Sequence, residues 1–206
     1  KQHNDPIVRL GGIAIFLGFA ISYLVLIGLG NNYLSYPLLD ERMQLMLVGA
    51  FLIFLTGLAD DLLNLSPIKR LFLQFFVASF IVVQGFIFKS INFSIFSDIL
   101  PSIATGEILG FFLTLLWIVS ITNALNWMDG LDGLAAGITI ISCFGFFVIG
   151  IINHDLYSCT LSCITVGSCL GFLQYNKYPA IILMGDGGSY FLGFMLSFLG
   201  IISNFN

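Results

Sequence analysis

Seven long apolar stretches recur along this 206-residue chain, each about as long as a membrane-crossing helix. An α-helix rises about 1.5 Å per residue, so about 20 apolar residues cross the roughly 30 Å hydrocarbon layer of a bilayer. Charged residues make up 9% of the chain, well below the content typical of soluble domains. We therefore predict an all-α, polytopic transmembrane bundle with seven spans, at residues 10–30, 43–59, 71–88, 108–125, 134–152, 159–175 and 187–203.

Composition argues against several other classes of protein. The 7 Lys and Arg residues form no basic patch, so we expect no nucleic-acid partner. The four cysteines lack a CxxC pair and a nearby histidine, which favours neither a zinc site nor a disulfide framework. They are interpreted as packing residues: Cys143, Cys159, Cys163 and Cys169. Because no soluble domain or linker divides the chain, we predict a single membrane domain over residues 1–206.

The basic residues predict which side of the membrane each connector occupies. If residues 1–9 are cytoplasmic, alternation of the spans places the connectors near 60–70, 126–133 and 176–186 on the same side. Most basic residues then lie in the cytoplasm, as the positive-inside rule requires. The cytoplasmic set is Lys1, Arg9, Lys69, Arg70 and Lys177, and the opposite set is Arg42 and Lys89.

Acidic residues gather at the predicted cytoplasmic ends of the spans. This group comprises Asp5, Asp60, Asp61, Asp129, Asp132 and Asp186. The remaining acids fall in the opposite connectors and are interpreted as solvated loop charges: Asp40, Glu41, Asp98, Glu107 and Asp155. Carboxylates clustered at one membrane surface predict a site with a chemical role.

The first acidic motif ends the second span. Asp60 and Asp61 are adjacent, and Asn64 lies one helical turn further on. A charge at mid-bilayer costs about 2.5 to 3.5 kcal/mol, so the pair should lie in a polar cleft or at the membrane boundary. The motif predicts one edge of a magnesium site. The alternative is that both carboxylates only end the span, with Lys69 and Arg70 as loose ionic partners.

The second motif repeats polar residues at three-residue spacing. Asn123, Asn126, Asp129 and Asp132 would lie on one side of a helix in successive turns. Amide and carboxylate oxygens presented together suit a hard cation or the hydrogen-bonding edge of a nucleotide. The alternative makes Asp129 a helix N-cap and the glycines of segment 133–137 a close-packing seam.

The third motif opens the last span. Gly185, Gly187 and Gly188 would bring backbone N–H groups close to a phosphate, an anion that the positive end of a helix dipole also favours. Asp186 would repel that phosphate unless it holds a bridging cation. The alternative is that Asp186 is a simple N-cap.

The two histidines carry less information. His3 lies with Lys1 and Arg9 on the predicted functional side, where a phosphate contact is expected. His154 lies beside Asp155 on the opposite side and is interpreted as a loop residue.

Four ordered stretches together resemble the polyprenyl-phosphate N-acetylhexosamine-1-phosphate transferases, the superfamily that contains the WecA, TagO and MraY enzymes. They are Lys1 to Gly12 (KQHNDPIVRLGG), Gly57 to Gln74 (GLADDLLNLSPIKRLFLQ), Asn123 to Gly137 (NALNWMDGLDGLAAG) and Gly185 to Gly193 (GDGGSYFLG). The N-terminal pattern is more similar to the WecA-like branch than to the MraY branch.

The resemblance implies a multi-pass enzyme of the cell membrane, with its active site on the cytoplasmic face. A polyprenyl phosphate oxygen would attack the β-phosphorus of a UDP-N-acetylhexosamine and release UMP, the first membrane step of cell-envelope polysaccharide synthesis. Mg²⁺ is the implied cofactor, with Mn²⁺ as a substitute. The lipid bilayer is the implied setting, and a homodimer is one arrangement that stays open.

The resemblance also implies roles for individual residues. The implied catalytic residues are Asp60, Asp61 and Asp129. The implied metal ligands are Asp61, Asp186 and Asn126. The implied nucleotide-binding residues are Asn123, Asn126, Asp132 and Asn176. The implied phosphate-binding residues are Lys1, His3, Gly187 and Gly188.

The sequence departs from the family pattern in two ways. Asn64 stands where the family has a third acidic residue, which keeps an oxygen ligand but removes a charge. The family also has ten or eleven spans, so we expect this chain to lack the first span, the C-terminal spans and a later histidine-containing loop.

Two other classes of membrane protein were weighed. Asp129 to Ala136 matches the opening DxxDGxxA of the CDP-alcohol phosphotransferases, but Gly137 replaces the arginine that follows and no acidic residue occurs from 133 to 154. An ion-coupled transporter would also use intramembrane acids. Its site would lie near the midplane between repeats, whereas these acids gather at one surface.

Overall fold

The computed structural model describes residues 9–33, 40–88 and 107–203, which form seven α-helices and no strand. The helices are α1 (Gly11–Tyr33), α2 (Glu41–Leu63), α3 (Pro67–Val83), α4 (Glu107–Met128), α5 (Leu134–Ile152), α6 (Leu156–Asn176) and α7 (Gly185–Ile202). Six of them are long and apolar enough to cross a membrane, which confirms the predicted all-α transmembrane bundle. The remaining helix, α3, has 17 residues.

The end of α2 lies beyond the predicted span. The helix continues to Leu63, so Asp60 and Asp61 occupy its last turn instead of following it. Asn64 then ends the helix in the left-handed conformation, with φ of 49°, and donates its N–H to the carbonyl of Asp60 at 2.9 Å. Asparagine tolerates this conformation better than most residues, so the exposed Asn64 serves here as the C-cap of the helix.

The last helix, α7, lies at the centre of the bundle. It contacts α1, α2, α4, α5 and α6, and nearly all of its side chains are buried. Phe191 packs edge-on against Phe16 and Phe19 of α1, with ring centroids 5.3 and 5.2 Å apart. This packing holds the first turn of α7 among its neighbours, where it can take part in a site formed by several helices.

Two acids at the opposite end of the bundle have defined partners. Asp40 accepts hydrogen bonds from Met43 N and from the Tyr157 hydroxyl, both at 2.8 Å. Asp155 accepts one from Tyr157 N at 3.0 Å and caps α6. Our prediction that these were ordinary solvated loop charges was wrong, because each begins a helix and satisfies its free N–H groups.

The cysteines differ in their burial. Cys143 and Cys169 are buried in the core, which agrees with the packing interpretation. Cys159 is half-buried, and its thiol lies 3.7 Å from the carbonyl of Phe147. Cys163 is exposed, so the packing interpretation was wrong for this residue.

Glycines allow the backbones of α1 and α2 to come into direct contact with the backbone at the start of α7. A β-carbon on Gly57 would lie 2.7 Å from the α-carbon of Gly187, and one on Gly188 would lie 2.7 Å from the α-carbon of Gly12. The backbone N–H of Gly12 donates to the carbonyl of Met184 at 2.7 Å. Three helices therefore meet around the residues that open α7.

We predict that Gly57→Ala lowers the free energy of unfolding by about 1–3 kcal/mol, because the new methyl group would meet backbone atoms that cannot rotate away. Thermal unfolding of the purified protein in detergent measures the change. Gly145→Ala in α5 is the matched control, since a β-carbon there meets no heavy atom within 4 Å. Equal unfolding midpoints for the two variants would contradict the close packing described.

Candidate active site

Asp61 joins the end of α2 to the beginning of α7. Its Oδ1 accepts the backbone N–H of Asp186 and its Oδ2 accepts that of Gly187, both at 2.9 Å. The first N–H groups of a helix have no partner within the helix and carry partial positive charge, which a carboxylate satisfies. Gly185 opens α7 with φ of +76°, where a β-carbon would lie 2.8 Å from Asp61 Oδ2. The carboxylate that caps α7 therefore comes from another helix.

Asp60 lies between the start of α3 and the Asp186 carboxylate. It is 5% exposed, and its Oδ1 accepts the N–H of Leu65 at 2.9 Å. Its Oδ2 pairs with the Arg70 guanidinium at 2.9 Å, and the same guanidinium nitrogen lies 3.9 Å from Asp186 Oδ2. Asp60 thus forms a close, hydrogen-bonded ion pair with Arg70, and this pair brings α3 to the site.

Asn126 contributes an amide from α4. Its Nδ2 donates to Asp186 Oδ1 at 2.6 Å and to Ser189 Oγ at 2.9 Å. The amide nitrogen therefore faces the carboxylate and fixes its orientation. Asp186 lies in the first turn of α7, but the helix N–H groups bond to Asp61, so the simple capping role considered for Asp186 is not what the structure shows.

Asp132 and Asn176 join two connecting segments beside the site. Asp132 Oδ2 accepts the N–H of Ala180 at 3.0 Å. Asn176 is 2% exposed; its Oδ1 accepts the N–H of Gly133 at 3.0 Å and its Nδ2 donates to the carbonyl of Ile182 at 2.9 Å. Both residues hold the α4–α5 turn against the segment that leads into α7, and their predicted contact with a nucleotide stays a prediction.

Asn123 lies one turn before Asn126 on α4. Its Nδ2 donates to Gln74 Oε1 at 2.5 Å and to the carbonyl of Val119 at 2.8 Å. Asp129 follows the end of α4, and its backbone N–H donates to the carbonyl of Leu125 at 3.1 Å.

The alternative interpretation of the second motif is wrong. The N-cap position of α5 is Gly133, not Asp129, and a β-carbon on Gly137 would meet no heavy atom within 4 Å. Segment 133–137 is therefore not a seam of close helix packing that involves both glycines.

The structure describes two of the four predicted phosphate-binding residues. Lys1, His3 and Asp5 lie outside the described residues. Gly187 and Gly188 lie in the first turn of α7, where the N–H of Gly187 is bonded to Asp61 and Gly188 packs on Gly12. Their predicted contact with phosphate stays untested.

The charges of the site do not cancel among the described residues. Two of the three carboxylates, those of Asp60 and Asp186, face the Arg70 guanidinium, and Arg9 is near enough for its charge to act on the third, Asp61. A net negative charge remains when both cations are counted. A further cation bound between the carboxylates would reduce their repulsion.

The residues fit a magnesium ion that shares its coordination with a ligand. Within the described ranges, no three Asp, Glu, His or Cys side chains are arranged as a metal cluster. Mg²⁺ is usually held by one or two carboxylates together with waters and substrate phosphates, so a complete protein cage is not required. Asp186 Oδ2 lies 3.9 Å from Arg70, beyond hydrogen-bond distance, and each Asp61 oxygen keeps a lone pair after accepting one N–H.

Four residues important to this arrangement had no predicted site role: Gly12, Arg70, Gln74 and Ser189. Arg70 was predicted to be a loose ionic partner of the acidic motif, whereas the structure shows a close pair with Asp60. Gln74 offered a local signal, because it is an amide in an otherwise apolar stretch. Gly12 and Ser189 matter because of contacts with distant parts of the chain: Gly12 bonds to Met184, and Ser189 accepts a hydrogen bond from Asn126.

The fold and site define a polytopic helical membrane protein in which carboxylates of α2 and α7 meet at one end of the bundle. A family model described as glycosyl transferase family 4 matches residues 43–204. The chain belongs to this family.

Two relatives match nearly the whole chain, and a third matches half of it. A probable undecaprenyl-phosphate N-acetylglucosaminyl 1-phosphate transferase of Bacillus subtilis is 38% identical over 205 residues, covering 98% of this chain and 53% of the relative. A decaprenyl-phosphate N-acetylglucosaminephosphotransferase of Mycobacterium tuberculosis is 34% identical over 208 residues, covering 95% and 50%. A phospho-N-acetylmuramoyl-pentapeptide-transferase of Chlamydia trachomatis is 46% identical over 106 residues, covering 50% and 32%. The chain thus spans about half the length of the first two relatives.

We predict that Asp61→Asn destabilises the start of α7. Asparagine can offer one oxygen to the two N–H groups, and its own NH₂ group would face the second; the lost charge-assisted bond is worth about 1.5–3 kcal/mol. Hydrogen exchange read by mass spectrometry should show faster exchange in the peptide that contains Asp186 and Gly187. Asp155→Asn is the matched control at the other end of the bundle, because asparagine is also a good N-cap. Unchanged exchange in Asp61→Asn would contradict the capping role.

Proposed function

We propose that this chain forms part of an enzyme that transfers N-acetylglucosamine 1-phosphate from a UDP-sugar to a polyprenyl phosphate and releases UMP. The proposal is supported by the names of the two relatives that match nearly the whole chain. The observation that carries it is the meeting of three carboxylates, Asn126 and Arg70 at the beginning of the central helix. This arrangement has the charges needed to bind a cation and phosphate groups together.

The proposed reaction is a single phosphoryl transfer. An oxygen of the acceptor phosphate forms a bond to the β-phosphorus of the donor, and the bond from that phosphorus to the bridging oxygen breaks. The bridging oxygen and its electron pair leave with UMP. Since the second pKa of a phosphate monoester is about 6, the acceptor is largely ionised at neutral pH and needs no general base. Asp60 therefore has the role of orienting groups around the acceptor.

Asp186 and Asp61 would hold the magnesium ion, and Asn126 would keep the Asp186 carboxylate turned toward it. When bound, magnesium would neutralise charge on the diphosphate oxygens as the β-phosphorus is attacked. Arg70 is already shared between Asp60 and Asp186, and its planar guanidinium suits bidentate contact with a phosphate. We propose that Arg70 turns from the carboxylates to the phosphate groups when the substrates bind.

The remaining predicted residues would shape the donor pocket. Asp132 and Asn176 fix the segments beside the site, so we propose that they define the wall against which the uridine lies. Arg70 and Lys177 lie at the end of the bundle that holds the acids, which supports a cytoplasmic active site. We propose the plasma membrane as its location.

The proposed function is tested by UMP release from the full-length protein in detergent with polyprenyl phosphate, UDP-N-acetylglucosamine and MgCl₂. We expect release to depend on the acceptor, to stop with EDTA and to resume with excess Mg²⁺. Asp186→Asn should lower kcat by at least about 10²-fold, the usual effect of removing one group that stabilises transition-state charge.

Asp155→Asn is again the matched control and should keep the wild-type rate, since Asp155 caps a helix at the opposite end of the bundle. A wild-type rate in Asp186→Asn would contradict the site. No release by the wild type with any UDP-sugar would contradict the proposed function and favour the transporter alternative.

A further inference from the structure

A buried pair of amides lies beneath the candidate active site. Gln74 of α3 and Asn123 of α4 meet through one hydrogen bond, from Asn123 Nδ2 to Gln74 Oε1 at 2.5 Å. Gln74 is 1% exposed, whereas its lipid-side neighbours Phe72 and Phe76 are 70% and 63% exposed. The side of α3 that packs on the bundle is otherwise apolar, with Val77, Ala78, Ile81 and Val82, and Gln74 is its one buried polar residue.

The orientation of this pair is fixed by the backbone. Asn123 Nδ2 also donates to the carbonyl of Val119, so the nitrogen must lie on that side and must face Gln74 with its second hydrogen. Gln74 can therefore only accept. Its Nε2 has no hydrogen-bond partner among the described residues, although the atom is buried.

This geometry is unfavourable for stability alone. A buried donor without a partner costs about 1–3 kcal/mol, which offsets the roughly 0.5–1.5 kcal/mol that the bond from Asn123 contributes. A glutamine placed here therefore points to a role other than stabilising the bundle.

The pair stands one helical turn below two residues of the site. Gln74 follows Arg70 by four positions on α3, and Asn123 precedes Asn126 by three on α4. One turn corresponds to about 5 Å along the helix axis, so the amide bond connects the helix that carries the guanidinium to the helix that carries the site amide. Both Arg70 and Asn126 contact Asp186 from these two sides, at 3.9 and 2.6 Å.

We infer that Gln74 is a positioning residue. By holding Asn123, it fixes α3 against α4 and thereby sets the separation of Arg70 and Asn126 on either side of Asp186. The inference rests on the proposed function, since Arg70 and Asn126 are the groups that would surround the transferred phosphate. A displacement of about 1 Å at such a centre can lower the rate by about 10²-fold.

The test compares Gln74→Leu with wild type in the UMP-release assay and in thermal unfolding of the full-length protein. Leucine removes both the bond to Asn123 and the unpartnered Nε2, while Asn123 keeps its bond to Val119. We expect an unfolding midpoint close to that of wild type, because leucine removes one unpartnered donor and leaves one N–H of Asn123 without its acceptor. We expect kcat to fall by about 10- to 100-fold. The KM for each substrate should change less than about threefold, because the side chain is buried beneath the substrates.

Two further variants separate positioning from structure. Gln74→Glu keeps an acceptor oxygen toward Asn123 and should restore kcat to within about tenfold of wild type. Tyr157→Phe is the matched control, because it removes an interhelical hydrogen bond to Asp40 at the opposite end of the bundle; it should keep the wild-type kcat.

A wild-type kcat in Gln74→Leu would overturn the inference and leave the proposed function standing. A loss of kcat that parallels a loss of unfolding midpoint would also overturn it, because it would show an ordinary structural role. Absence of UMP release from the wild type would instead overturn the proposed function, and the inference with it.

Discussion

The hydrogen bonds from the first turn of α7 to the Asp61 carboxylate are the interaction on which the site depends. A helix that begins inside a membrane protein has N–H groups that water cannot satisfy, and Asp61 satisfies two of them. The same bonds bring Asp186 to the end of α2, next to Asp60. Without them, the acidic groups of two distant sequence motifs would have no fixed relation to each other.

Bringing these carboxylates together leaves negative charge that the neighbouring cations compensate only in part. Asp60 is nearly buried, and Arg70 compensates its charge through a close ion pair. Asp186 lies farther from the same guanidinium, at 3.9 Å, and accepts a hydrogen bond from Asn126 on its other side. We propose that this site, with fixed carboxylates and incomplete charge compensation, binds a divalent cation and the phosphates that such a cation holds.

Sequence reasoning predicted the features that depend on neighbouring residues. The apolar stretches predicted the bundle, and a helical boundary at Asp60 was placed to within a turn. Arg70 was named as an ionic partner of the first acidic motif, and the structure shows its close pair with Asp60. The partners of Gln74 and Asn176 could not be predicted, because each contact joins residues far apart in the chain or depends on a turn whose shape the pattern does not show. The central place of α7 was not predicted either, because it depends on the packing of helices that are distant in the sequence.

Manganese binding measured by electron paramagnetic resonance tests the central claim most directly, because it reads the cation site without requiring turnover. The full-length protein would be titrated with Mn²⁺ in detergent, with and without UDP-N-acetylglucosamine. The account predicts a bound ion whose affinity rises with the nucleotide, and whose binding is lost in Asp186→Asn and retained in Asp155→Asn. Undiminished Mn²⁺ binding in Asp186→Asn would show that the cation lies elsewhere and would contradict the account.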